Sequence, residues 1–237
     1  MSTLLLRLSA PMQSWGAESK FDTRTTQRAP TKSGVIGMVA AALGRRRTEP
    51  IGDLQRLRFG VRVDQEGILL VDFHMAHEQS FWDSGADNGS HLTRRHYLSD
   101  AVFLVGLEGE DSLLLPIEEA LKAPLFPLFL GRRSCPPEGR VVLGVRKGES
   151  LHRALEQAPW LANARVKSRA QSAHRLRLYL EADAGEPDAY MVRDVPVSFS
   201  QMKREHGFRF AKERTMPVMP FVLKDTTTQN PIMELEG

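Results

Sequence analysis

Between Ser33 and Leu43 the chain reads SGVIGMVAAAL, a stretch of helical length with very little side-chain bulk. Glycine is about 1 kcal/mol less favourable than alanine inside a helix. Two of them, Gly34 and Gly37, therefore imply that another backbone comes very close. With Ala40, Ala41 and Ala42 they give a thin face that can lie against a sheet. Pro30 and Thr31 offer a start, and Gly44 is a natural C′ stop. A helix is expected at about 33–43, and the rest of the fold must be arranged around it.

Directly upstream the chain is open and basic, with Arg24, Arg28 and Lys32 leading into the helix. A helix start presents unpaired N–H groups and a partial positive charge, which attract phosphate. Lys32, Ser33 and the Gly34 N–H sit at that end. The pattern is not a P-loop: the glycines follow the Lys-Ser pair instead of preceding it, which excludes NTP hydrolysis of that kind. Two readings stay open here, a phosphate-binding helix start and an ordinary exposed loop before a core helix.

Aliphatics around Arg7 predict a strand at Leu4–Ser9, and a polar loop should run from Trp15 to Thr31. Strands are expected at Phe59–Asp64 and Ile68–Phe73, joined by a turn at Gln65-Glu66-Gly67. Residues 74–99 are rich in His, Asp, Asn, Ser and Gly and interrupt the strand pattern. A connection that long inside a compact domain is usually functional or disordered. Phe81, Trp82, Leu92, Tyr97 and Leu98 give it material to pack, so it reads as an ordered protrusion. A strand at 101–107, a helix at about Leu115–Leu121 and a strand over LFPLFLG, 125–131, complete the order. The fold class that follows is α+β: a ferredoxin-like (RRM-like, split βαβ) domain over 1–139 with an insertion at about 74–99. From about residue 140 alternation in HRLRLYLE, VPVSF and GFRFAKER predicts a smaller β-rich domain over 140–223. The tail, 224–237, has little to pack and is expected to be mobile.

The net charge of +3 over 237 residues conceals an uneven layout. Residues 1–63 carry +7, residues 64–131 carry −9 and residues 132–237 carry +5. Basic segments from both ends of the chain suit a polyanion; they also suit neutralisation across the fold. One cysteine, Cys135, excludes an internal disulfide and fits a reducing cytoplasm, the expected location. The LLLRLSA start is too short for a signal-peptide core and is broken by Arg7. No stretch approaches 18 uncharged apolar residues, so no membrane partner is expected.

LGRRSCPP, 130–137, is the second sharp signal: a stiff turn that aims Arg132 and Arg133 outward beside Ser134. Arginine forks suit phosphates and stacked bases, and the strands of such a fold often form an RNA-binding face. Cys135 has no local His/Asn pairing and reads as a buried small residue. Arg94 and Arg95 fit either RNA contact or salt bridges to Asp83, Asp87 or Asp100. Arg45, Arg46 and Arg47 fit a solvated helix C-terminus. His74, His77, His91 and His96 lack a carboxylate or cysteine at a metal-ligand spacing. His96 with Tyr97 could serve metal-independent cleavage through the 2′-OH.

LLLRLSAPMQSWG at 4–16, FDTRTTQRAPTKSGVIGMVAAALG at 21–44, TRRHYLSDAVFLVGL at 93–107 and LFPLFLGRRSCPP at 125–137 resemble the CasD family. These are the handle-binding subunits of type I-E CRISPR surveillance complexes (Cascade), within the RAMP superfamily. The match covers most of residues 4–137; the last 100 residues resemble the family only loosely. The resemblance implies a non-catalytic subunit that binds and caps the crRNA 5′ handle in antiviral defence, with the insertion acting as a thumb. It implies CasC backbone subunits and the CasA large subunit as partners, target DNA near the PAM as a further contact, and no cofactor. It places Gln13, Ser14, Arg24, Arg28, Lys32, Ser33, Arg132, Arg133 and Ser134 near the handle, with Arg94 and Arg95 at the return of the thumb. Arg45 and Arg46, the first two of the Arg45-Arg46-Arg47 run, depart from the family pattern, and the run is left to RNA, target DNA or solvent. The alternative is a metal-independent repeat endoribonuclease of the type I-C kind.

Overall fold

The structure, a computed structural model, describes residues 1–16, 23–77, 90–170 and 174–218, without the side chains of 76, 77, 90 and 91. The start of the basic segment at Phe21, the tip of the protrusion with Phe81, Trp82, Asp83 and Asp87, and the tail at 224–237 lie outside these residues. No helix among the described residues is long and apolar enough to cross a membrane.

The chain runs β1 (Ser2–Ser9), β2 (Met12–Gln13), β3 (Thr23–Arg24), α1 (Lys32–Ala42), α2 (Gly52–Gln55), β4 (Arg58–Gln65), β5 (Ile68–His77) and β6 (Ser90–Ser99). It continues through β7 (Val102–Gly109), α3 (Asp111–Lys122), β8 (Val142–Arg146), α4 (Leu151–Gln157), α5 (Ala164–Arg169), β9 (Arg175–Ala182), β10 (Tyr190–Ser198) and β11 (Glu205–Pro217). The main sheet has seven strands in the order β10-β11-β9-β4-β7-β1-β8, every neighbouring pair antiparallel. Within it β8-β1-β7-β4, with crossovers through α1 and α3, is the ferredoxin-like arrangement that the sequence predicts.

The fourth strand of that arrangement is not where the sequence reading puts it. Residues 125–131 form no strand. Pro124 and Pro127 interrupt the run, and proline cannot donate to a ladder. The N–H groups of Leu125 and Phe126 instead satisfy the last carbonyls of α1, on Ala42 and Ala41. The fourth position is filled by β8, which begins after residue 139 and pairs with β1 from Thr3↔Arg146 to Leu6↔Val142. The C-terminal strands join the opposite side of the same sheet, β9 pairing with β4 from Gly60↔Leu180 to Val63↔Arg177.

Alternation along β1 divides two cores. Leu4, Leu6 and Leu8 face one side with Phe59, Val61, Phe103 and Val105, under α1 and α3. Leu5 and Leu104 face the other with Leu178 and Leu180, under Leu151 and Leu155 of α4. Burying each such side chain contributes about 1.5–3 kcal/mol. The second face is sealed because Gly60 and Gly106 stand directly opposite each other in β4 and β7. A Cβ on Gly106 would lie 2.6 Å from Leu151 Cδ1, and one on Gly60 would lie 2.9 Å from Leu155 Cδ1. The open sheet face expected to carry RNA is thus covered by a helix.

Arg62 locks the cover in place. It is 1% exposed, and all five of its guanidinium donors are used. Two go to Asp64, at 2.6 and 2.8 Å, and three to the carbonyls of Leu155, Ala158 and Pro159, at 2.6–2.7 Å. Trp160 Nε1 and the Leu161 N–H return to Asp64.

Gly106→Ala should destabilise the protein by about 1–3 kcal/mol through overpacking against Leu151. Lys122→Ala, which removes only surface helix pairs with Glu118 and Glu119, should leave the urea midpoint essentially unchanged. Urea unfolding followed by tryptophan fluorescence measures both.

Candidate nucleic-acid interface

A second, smaller sheet stands beside the first. The β5/β6 hairpin is its body, paired from Ile68↔Ser99 to His77↔Ser90. Gly67, at φ +70°, makes the turn that starts it: a side chain there would meet the Ser99 carbonyl. The long insertion of the sequence reading is therefore two ten-residue strands at its described ends. β2 joins β6 at Met12↔Ser99 and Gln13↔Leu98, and β3 joins it in parallel at Thr23↔Arg94 and Arg24↔Arg95.

This sheet gathers segments that lie far apart in the chain. β3 sets Arg24 beside Arg95. The 130–135 turn is closed by Leu130 N–H to the Cys135 carbonyl and Cys135 N–H to the Arg132 carbonyl. It docks on residue 14, whose N–H donates to the Leu130 carbonyl at 3.1 Å. Gly131 is required there: its φ is +85°, and a Cβ would lie 1.7 Å from the Ser14 carbonyl oxygen. From this turn Arg132 reaches back, its Nη2 donating to the Arg24 carbonyl at 2.8 Å and its guanidinium lying 4.7 Å from the centre of the Tyr97 ring. Tyr97 is buried, Arg28, Arg94, Arg133 and Ser134 are exposed, and Arg94 stands over the exposed Phe73. Asp72 opposes Arg95 in register, yet no ion pair between them is found among the described residues.

Gln13 and Ser14 form the floor. Gln13 is buried, donates to the carbonyls of Ala101 and Leu8, and accepts from Trp15 Nε1. Ser14 Oγ donates to the His96 carbonyl.

The start of α1 corrects a premise of the sequence reading. The free positive charge and open N–H groups expected there are taken. Thr31 Oγ1 caps the Gly34 N–H, and the Lys32 N–H donates to Asp194 Oδ2 at 2.8 Å. Lys32 is 2% exposed, with its ammonium 2.9 Å from Glu181. Burial pulls its pKa below the ordinary lysine value against the raising effect of that carboxylate. Ser33 is buried, within 3.4 Å of the Thr31 hydroxyl. Asp194 also accepts from Arg209 at 2.6 and 3.0 Å. The seat that would attract an anion holds one of the protein's own, because β9 and β10 bring carboxylates to it. The glycines of α1 admit rings, not a backbone: Cβ atoms on Gly34 and Gly37 would meet Trp15 and Phe199.

Arg45, Arg46 and Arg47 lie beyond the other end of α1. Arg45 is paired with Asp53 at 2.5 Å, while Arg46 and Arg47 are exposed. Cys135 is buried, which raises its thiol pKa. Among the described residues no group of three or more His, Cys, Asp or Glu could hold a metal. The site residues missed in the sequence are Glu181, Asp194 and Arg209; isolated charges in β9, β10 and β11 carry no signal. Tyr97, read in the sequence as packing material and as a cleavage partner of His96, instead lies under Arg132.

The fold defines the class, a ferredoxin-like core with an arginine-bearing side sheet, and comparison with known proteins supplies the family. Residues 3–212 match the family model for the CRISPR-associated protein Cas5, and the chain belongs to that family. Within it, the chain is 34% identical over 173 residues to the CRISPR system Cascade subunit CasD of Escherichia coli strain K12, covering 65% of this chain and 75% of that one. A solved chain described as a CRISPR RNA-guided surveillance complex is 35% identical with a TM-score of 0.75, covering 91% of this chain and 90% of that one. A crystal structure of a Cas protein is 42% identical with a TM-score of 0.69, covering 91% and 95%.

Asp194→Ala should cost about 3–5 kcal/mol, because it leaves Arg209 and the Lys32 N–H buried without their acceptor. Urea unfolding measures the loss.

Proposed function

We propose that this chain is the subunit of a type I-E CRISPR surveillance complex that binds and caps the 5′ handle of the guide RNA. The observation that carries this reading is the meeting of three remote segments on one small sheet: Arg24 beside Arg95, and Arg132 bonded to the Arg24 carbonyl. Backbone phosphates are held by charge and positioned by arginine forks, while any preference for handle bases needs contacts to base edges. Arg24, Arg28, Arg94, Arg95, Arg132, Arg133 and Ser134 are the contacts in this reading. Gln13, Ser14, Lys32 and Ser33 hold the elements that present them.

The reading is non-catalytic. Tyr97, which a cleavage mechanism with His96 would require, is 4% exposed and lies beneath Arg132. The hairpin exposes Ile68, Phe73, Met75 and Leu92, an apolar surface of the kind that packs against another subunit. CasC and CasA are the expected neighbours. Arg46 and Arg47 are free to meet target DNA near the PAM.

The double change Arg132→Ala, Arg133→Ala should weaken binding of handle RNA by about 2 kcal/mol or more, the scale of lost charged hydrogen bonds. Affinity of the unaltered protein should fall steeply with salt. Fluorescence anisotropy with labelled handle RNA reads both. Binding untouched by the double change would favour a pure protein-interaction subunit. Cleavage of labelled repeat RNA that survives EDTA and is lost on changing His96 would favour the endoribonuclease.

A further inference from the structure

The arginines of the second sheet are not equivalent. Alternation along β6 puts Arg95 and Tyr97 on one face and Arg94 on the other. The parallel register of β3 puts Arg24 on the face of Arg95. Arg132 lies over Tyr97, hence on that same face. Two guanidinium atoms of this group, Arg95 Nε and Arg132 Nη1, are buried and have no hydrogen-bond partner. Buried donors are normally matched, and an unmatched one carries the full penalty of its lost hydration. Arg62, on the main sheet, shows full matching, with every donor used; Arg177 Nε and Arg209 Nη1 of the main sheet are also unmatched, but they lie outside the arginine-bearing second sheet. Arg132 is also held: an aromatic ring lies under it and one edge is tied to a backbone carbonyl. A side chain fixed at that loss of freedom, with a donor left over, is built to receive an acceptor from outside.

Resting on the RNA-binding reading above, we propose that Arg95 and Arg132 form a fixed seat for a single phosphodiester group of the bound RNA. Arg28 and Arg133, exposed, and Arg94, which stands over the exposed Phe73, draw the strand in by charge. In the seat, the orphan N–H groups of both side chains donate to the non-bridging oxygens of one phosphate. Tyr97 is the positioning residue that keeps the Arg132 fork planar and aimed. The seat depends on the geometry of guanidinium, which lysine does not reproduce.

The test separates fork from charge. Full-length Arg95→Lys and Arg132→Lys keep the charge and lose the fork; Arg56→Lys, outside the interface, is the control. Handle RNA affinity should fall about tenfold or more for each of the two, with the slope of log K against log salt unchanged. Unaltered melting temperatures show that the variants are folded. A methylphosphonate scan of the handle supplies an independent arm. At one linkage, removing the phosphate charge should weaken the unaltered protein and shrink the Arg132→Lys penalty to less than about twofold, as expected for two parts of one contact. The proposal is overturned if Arg95→Lys and Arg132→Lys bind like Arg56→Lys, or if an abasic site and not a methylphosphonate removes the penalty. Loss of the underlying reading looks different: handle RNA would then bind the protein equally well after Arg24, Arg95 and Arg132 are all changed to Ala.

Discussion

Two glycines facing each other across neighbouring strands decide where this protein can hold a ligand. Gly60 and Gly106 leave a bare spot in the middle of the main sheet, and Leu151 and Leu155 of α4 fill it. The Arg62–Asp64 pair then ties the segment after α4 to β4 through three backbone carbonyls. With α1 and α3 on one face and α4 on the other, the sheet is core on both sides. A ferredoxin-like sheet left open could lay nucleic acid along its strands; this one is closed to it. In the proposed reading, recognition is displaced to the smaller sheet beside it, where backbone strands gather arginines from three parts of the chain.

The same logic of matched charge runs through the interior. Glu181 and Asp194 come from the C-terminal strands and neutralise Lys32, Arg209 and the first turn of α1. Buried ion pairs are poor sources of net stability but severe when broken. This one fixes the start of α1 against β9 and β10, and so holds the loop that leads back to Arg24. Buried donors are left unmatched at Arg177 Nε and Arg209 Nη1 on the main sheet as well; those of Arg95 and Arg132 differ in belonging to the sheet that gathers the arginines.

Much of this was legible in the chain. The ferredoxin-like order followed from strand alternation and the two helices, and the family from four long motifs. The convergence of Arg24, Arg95 and Arg132 was expected, although the reason, a parallel two-residue strand and one hydrogen bond, was not readable. Two misplacements have clear physical causes. LFPLFLG has the composition of a strand, but Pro127 removes a donor, the N–H groups of Leu125 and Phe126 are drawn to the end of α1, and that of Leu130 closes the turn to Cys135. Lys32 at a helix start reads as a phosphate ligand only while the distant Glu181 and Asp194 are out of view. Tertiary partners 149 and 162 residues away leave no trace in the local pattern. The sealing of the sheet was hidden for the same reason, since Gly60 and Gly106 acquire meaning only when placed opposite each other.

The central claim is one of place: the RNA lies on the second sheet and not along the main one. Photo-crosslinking of thiouridine-substituted handle RNA to the full-length protein, with the attached peptides mapped by mass spectrometry, tests it directly. The account predicts adducts in peptides spanning residues 23–28, 92–97 and 130–134, and none in residues 59–63 or 103–107. Adducts concentrated on the central strands of the main sheet or on α4, with the second sheet unmarked, would contradict it.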